Sequence, residues 1–116
     1  MQLLVYITNE ADRMPKVLSS LMKVGVNGAT VVRCEGMLHM LASLGDDAAM
    51  PAFFNSAMRL FDDNLDHGKM MLAVMPDELI MTSKQAIKDI CGGFDRPNTG
   101  IMFTVPVMHF EGVSKG

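Results

Sequence analysis

The sequence predicts a single α+β domain built from two similar halves, each with the order strand, helix, strand. Its 116 residues are the usual size of one domain, and 49% of them are apolar, which supplies a core and excludes a disordered chain. Short apolar runs alternate with stretches of helical periodicity, and this alternation occurs twice. Two β-α-β halves with both helices on one face of a four-stranded sheet form a ferredoxin-like domain, here with a partly helical insertion at residues 36–67.

The first half begins with a strand over Gln2–Thr8, an apolar run that contains β-branched residues. A helix follows, for which Asp12 is the expected N-cap and Pro15 lies in the first turn, where its missing N–H costs nothing. Gly25 ends this helix, and residues 29–35 predict the second strand. Helical spacing places on one face Met14, Val17, Leu18, Leu21 and Met22.

The second half repeats this order. Residues 69–75 are an apolar run that predicts the third strand, and residues 77–91 predict a helix with an acidic first turn. The pair Gly92 and Gly93 stops the helix, and residues 100–108 predict the last strand.

Both faces of the predicted sheet are apolar. The two faces of the first strand carry Leu3, Val5 and Ile7 on one side and Leu4, Tyr6 and Thr8 on the other. The third and fourth strands have the same pattern. Two helices cover only one face, and monomers rarely expose an apolar patch larger than roughly a few hundred Å². The pattern therefore predicts that other subunits or a partner cover the second face.

Charge and hydropathy exclude two classes of partner. Ten Lys and Arg residues against thirteen Asp and Glu give a net charge of −3, which offers no general attraction to nucleic acid or anionic lipid. The longest apolar runs fall far short of the roughly 20 residues that span a bilayer, so no membrane insertion is expected. Without a basic leader, the expected location is the cytoplasm. Cys34 and Cys91 are too few for a disulfide framework and are expected to be buried.

The insertion at residues 36–67 is acidic, with five Asp residues against the single Arg59. Pro51 opens a predicted helix inside it. One interpretation is that this helix packs on its own domain. The other is that it binds a partner protein and that the acidic residues around it select a basic surface. The candidate partner-binding residues are Phe53, Phe54, Met58 and Phe61.

Two segments resemble a known family when they are read with the two-half layout. Residues 25–37, GVNGATVVRCEGM, and residues 95–107, DRPNTGIMFTVPV, resemble the nitrogen-regulatory P-II family, in particular its divergent P-II-like branch. The resemblance covers nearly the whole chain in order and spacing. It implies a homotrimer with the sheets facing inward, a small-molecule effector in clefts between subunits, and a loop after the second strand that contacts a regulated transporter or enzyme.

The resemblance also implies a ligand site, formed by the start of that loop and by the turn before the last strand. Thr30, Gly36 and Gly100 match family residues there, whereas Leu38 replaces a second loop glycine and Ile101 replaces a lysine that contacts phosphate. The implied ligand-binding residues are Thr30, Gly36, Met37, Leu38, His39, Arg96, Asn98, Thr99 and Gly100.

The sequence leaves the identity of the effector open and assigns no cofactor. A buried triphosphate needs several cations, and the candidates are Arg33, Lys69 and Arg96. Since Ile101 supplies no charge, we expect weak ATP binding. The sequence leaves open a smaller or less charged ligand, or a nucleoside monophosphate held mainly through its base.

A metal-binding or divalent-cation tolerance protein is the alternative function. Cys34, Met37, His39 and Met40 place soft ligands within seven residues, a set that suits Cu(I), and a structurally similar trimeric family is associated with cation tolerance. The sequence has no P-loop, G-x-G-x-x-G, H-E-x-x-H or C-x-x-C motif. An enzyme is therefore the weaker class, and we expect no covalent chemistry.

Overall fold

The computed structural model describes residues 1–35, 68–95 and 100–112. Within these residues, four strands and two helices follow the order β-α-β-β-α-β, which confirms the ferredoxin-like prediction. Single 3₁₀ turns, Ala11–Arg13 and Asp77–Leu79, precede the two helices. The strands and helices are β1 (Gln2–Thr8), α1 (Met14–Lys23), β2 (Thr30–Cys34), β3 (Gly68–Met75), α2 (Ile80–Cys91) and β4 (Ile101–Pro106).

The four strands form one antiparallel sheet in the order β2-β3-β1-β4. Each helix connects two strands that are separated by a third, so β2 and β4 lie at the two edges. The register is continuous across the sheet: Val5 of β1 pairs with Leu72 of β3 and with Phe103 of β4. Thr30 of β2 pairs with Leu72 from the other side.

The core lies between one face of this sheet and the two helices. β1 contributes Leu4 and Tyr6 to this core, both with 0% of their surface exposed. The amphipathic periodicity of the helices turns their apolar stripes toward these side chains. The buried helix and β3 residues of the cluster include Met14, Val17, Leu21, Met71, Ala73, Met75, Ile80, Ile87 and Cys91.

The predicted N-cap at Asp12 is wrong. α1 has Arg13 in the N-cap position, and no side chain caps it. The preceding residues Ala11–Arg13 form a 3₁₀ turn, in which the Arg13 N–H donates to the Glu10 carbonyl at 3.0 Å. This turn uses backbone acceptors where a cap would use a side chain, so the Asp carboxylate is not needed. Pro15 lies in the first turn, as predicted.

Other elements end earlier than predicted. β2 lacks residues 29 and 35, and β4 lacks residues 100, 107 and 108. Gly100 has a φ of 103°, which lies outside the strand region, and Pro106 has no N–H for a ladder. The second helix begins as the 3₁₀ turn Asp77–Leu79 and becomes α-helical at residue 80.

Of the cysteines, Cys91 is buried as expected, but Cys34 is only half-buried because it lies at the end of an edge strand.

The helices run antiparallel, and contacts join them at both ends. At one end Arg13 Nη1 donates to the Ile90 carbonyl at 3.0 Å, next to the C-terminus of α2. The Arg13 guanidinium also forms an ion pair with Glu10. At the other end Gly25 lies beside the Leu79 side chain. Across the described ranges, neither helix is long and apolar enough to cross a bilayer.

Candidate ligand site and open sheet face

One face of the sheet has no helix over it, and we call it the open face. It is apolar apart from one threonine, and its outer residues are well exposed: Ile101 58%, Phe103 45%, Val105 42% and Val32 36%. Val5, at the centre, is 4% exposed because its strand neighbours crowd it. The open face comprises Leu3, Val5, Ile7, Thr30, Val32, Met70, Leu72, Val74, Ile101, Phe103 and Val105. The predicted second apolar face is therefore confirmed.

The two described members of the ligand set, Thr30 and Gly100, lie at opposite edges of the sheet. Thr30 begins β2, whereas Gly100 precedes β4. Three strand spacings of about 4.8 Å separate these edges, so the two residues are on the order of 14 Å apart across the strands. A single chain does not bring them into one pocket.

Gly100 lies at the sheet end where β1 finishes. A Cβ at this position would overlap the Ile7 carbonyl oxygen and would lie 3.5 Å from the Thr8 Cα. Gly100 therefore presents bare backbone here, and only glycine allows this close approach. The other predicted ligand residues, Gly36, Met37, Leu38, His39, Arg96, Asn98 and Thr99, lie outside the described residues, as do the partner candidates Phe53, Phe54, Met58 and Phe61.

A second glycine, Gly68, occupies the same end of the sheet. A Cβ there would meet Asn9 Oδ1 and the Thr8 carbonyl oxygen at 3.2 Å and Cys34 Sγ at 3.3 Å.

Of the predicted soft-metal set, only Cys34 is described, since Met37, His39 and Met40 lie outside the described ranges. In the described part of the chain, no three His, Cys, Asp or Glu side chains are grouped as metal ligands.

The buried Tyr6 is a polar feature of this region that the sequence pattern did not single out. Its ring contacts Phe94 edge to face, with the centroids 6.0 Å apart. Burial raises the pKa of Tyr6. The Tyr6 hydroxyl has no hydrogen-bond partner among the described residues. Since Phe94 follows Gly92 and Gly93, the Tyr6 ring anchors the chain as it leaves α2 toward Gly100.

Comparisons with known proteins agree with this geometry. No family model matches the sequence, and no curated protein matches it significantly. Among solved structures, the chain is similar to a crystal structure of Arabidopsis thaliana PII bound to citrate. The two share 18% sequence identity with a TM-score of 0.59, over 91% of this chain and 73% of that chain. At this identity the likeness concerns the fold. The protein therefore has the ferredoxin-like fold of the PII proteins, as the resemblance implied.

Proposed function

We propose that the protein is a P-II-like regulator in the cytoplasm. It forms a homotrimer, binds a small metabolite or nucleotide in clefts between subunits, and regulates a partner, either a transporter or an enzyme. It performs no covalent chemistry of its own. The likeness to PII supports the class of protein, and the open face supports the assembly.

The division of side chains along β1 is the observation that carries the proposal. Leu4, Tyr6 and Thr8 lie beneath the helices and include two hydroxyl groups, whereas the residues between them are wholly apolar and face away. A domain that stays alone in water would gain more by burying the wholly apolar set. Burying the open face against other copies recovers this energy, at about 25 cal/mol per Å².

Assembly also explains how the ligand residues act together. Thr30 and Gly100 lie at opposite edges of one sheet, so the edge of one subunit must meet the opposite edge of the next to form a common site. A cleft between subunits provides that arrangement. The Arabidopsis structure contains citrate, a small anionic metabolite, which makes citrate a reasonable first ligand to test.

Native mass spectrometry of the purified protein tests the assembly. We expect a species of three times the subunit mass at micromolar concentration, with any retained ligand visible as added mass. A folded monomer at that concentration would contradict the proposal.

Calorimetry with citrate, AMP, ADP and ATP tests the ligand site. We expect one ligand per subunit, with ATP binding more weakly than AMP or citrate because Ile101 supplies no charge. Thr30→Val should weaken binding, whereas Thr82→Val, the same change at an exposed position of α2, should leave it unaltered. A trimer that binds none of the four would contradict the proposed effector site.

The regulated partner is proposed to contact residues 36–67. Changing Phe54 and Met58 to Ser should abolish capture of the partner while trimer mass and thermal midpoint stay near those of the unmodified protein. A large fall in the thermal midpoint would indicate instead that this segment packs on its own domain.

A further inference from the structure

Two cations face each other at the end of the sheet. Arg33 of β2 is the direct cross-strand partner of Lys69 of β3, so their Cβ atoms are about 5 Å apart. Both side chains lie on the helix side of the sheet, because they alternate with residues of the open face. We call Arg33 and Lys69 the basic pair.

Within the described residues, 1–35, 68–95 and 100–112, no acidic side chain is paired with the basic pair. Glu10, which follows the neighbouring strand β1, is already paired with Arg13. Like charges directly opposite each other destabilise a sheet, and an anion between the two cations would relieve this repulsion.

The basic pair lies in the same row across the sheet as Gly100, the residue that precedes β4. Lys69 pairs with Thr8 of β1, and Thr8 lies against Gly100 on its other side. Arg33, Lys69, Thr8 and Gly100 therefore form one row across the end of the sheet. The Thr8 hydroxyl oxygen accepts the Glu10 N–H at 2.9 Å, which holds the backbone of this row in place.

We propose that the basic pair binds the phosphoryl or carboxylate group of an anionic metabolite. This anion site lies on the helix side of the sheet, opposite the face that carries Thr30, so it is distinct from the proposed effector site. An oxyanion between Arg33 and Lys69 accepts hydrogen bonds from both, and it converts a repulsive pair into two charge-assisted contacts.

Thermal unfolding tests the inference, with inorganic phosphate and malonate as probes against chloride at equal ionic strength. At ten times its dissociation constant, a binding anion should raise the thermal midpoint by roughly 5 °C. Arg33→Gln and Lys69→Gln should each lose this rise. In low-salt chloride the same variants should melt above the unmodified protein, because the repulsion is relieved.

Lys16→Gln is the matched control, since Lys16 is exposed on α1 and the change in charge is the same. It should keep the full rise. If only phosphate raises the thermal midpoint, the basic pair binds a phosphoryl group. If only malonate raises it, the basic pair binds a carboxylate. The inference would be overturned if an anion raised the thermal midpoint equally in the basic-pair variants and in the unmodified protein. It would also be overturned if these variants melted below the unmodified protein in chloride.

Measuring subunit number in the same samples separates the two proposals. A trimer with no anion response at the basic pair overturns the anion inference and leaves the proposed function standing. A monomer that responds through Arg33 and Lys69 supports the anion inference and contradicts the trimeric regulator.

Discussion

Gly100 lies directly against the carbonyl group of Ile7, at the point where β4 begins to pair with β1. A Cβ at position 100 would overlap the Ile7 oxygen. The φ of Gly100, 103°, is also one that residues with a Cβ rarely adopt. Two independent constraints therefore require glycine where the chain turns into its last strand.

Gly100→Ala should lower the free energy of unfolding by about 2–4 kcal/mol, because it combines backbone strain with a clash. Gly112→Ala is the matched control: its φ is 105°, but none of the described residues has an atom within 4 Å of the added Cβ. It should cost about 1 kcal/mol. Urea unfolding of both variants measures the difference. Equal losses would mean that the contact with Ile7 contributes nothing.

Tyr6→Phe should leave the free energy of unfolding unchanged or raise it by about 1 kcal/mol, because the lost hydroxyl is buried without a partner among the described residues. Thr8→Val removes another buried hydroxyl from the same side of β1. That hydroxyl accepts the Glu10 N–H, so the change should lower the free energy by about 1 kcal/mol. Both changes are measured by urea unfolding. A clear loss in Tyr6→Phe would show that the phenol has a partner.

The protein should lose stability in alkali through the same side chain. Burial raises the pKa of Tyr6 above its ordinary value of 10.0, so the folded state keeps the proton while the unfolded state loses it near pH 10. The contribution of this raised pKa to the free energy of unfolding is fully present below pH 10. It is lost as the pH rises through the folded-state pKa.

Tyrosinate absorbance measures this alkaline transition without interference, because the chain has one Tyr and no Trp. Tyrosinate should appear together with the loss of helical circular dichroism. Tyr6→Phe should unfold at a higher pH. If Tyr6 titrated at its ordinary pKa while the helical signal persisted, its burial would be contradicted.

Arg13→Leu should lower the free energy of unfolding by about 1 kcal/mol, a value reduced for the partial exposure of this side chain. The loss arises because the Ile90 carbonyl near the end of α2 no longer receives the hydrogen bond from Nη1. Glu10→Gln breaks the ion pair with Arg13 but keeps that hydrogen bond, so it should cost only a few tenths of a kcal/mol. Urea unfolding measures the free energy lost in each variant. A larger loss in Glu10→Gln than in Arg13→Leu would show that the ion pair, and not the hydrogen bond to Ile90, provides the stabilisation.

Periodicity predicted the elements and their order well, because strands and helices have distinct hydrophobic repeats. The span Gln2–Thr8 is confirmed to the residue. Capping chemistry was less reliable: Asp12 is a favoured N-cap type, but a 3₁₀ turn supplies backbone acceptors before α1 instead. Local patterns do not reveal such a choice, since both endings satisfy the same amide groups.

The sequence did not reveal which sheet face lies under the helices. Both faces of β1 are apolar, and hydropathy alone would favour burying Leu3, Val5 and Ile7 over the set that contains Tyr6 and Thr8. No local signal relates Thr30 to Gly100, because their separation depends on strand order, which followed only from the predicted fold.

The open face yields the last prediction, because it separates folding from assembly. Phe103→Glu places a charge where the side chain is 45% exposed in one chain, so each subunit should still fold, whereas charges on the open face should prevent it from being buried between copies. Leu4→Glu, at 0% exposure under the helices, should abolish folding itself. Met81→Glu, at an apolar position of α2 that is 73% exposed, is the control and should leave both properties unaltered. Sedimentation and circular dichroism together distinguish these outcomes: a folded trimer of Phe103→Glu would remove the open face from the proposed interface.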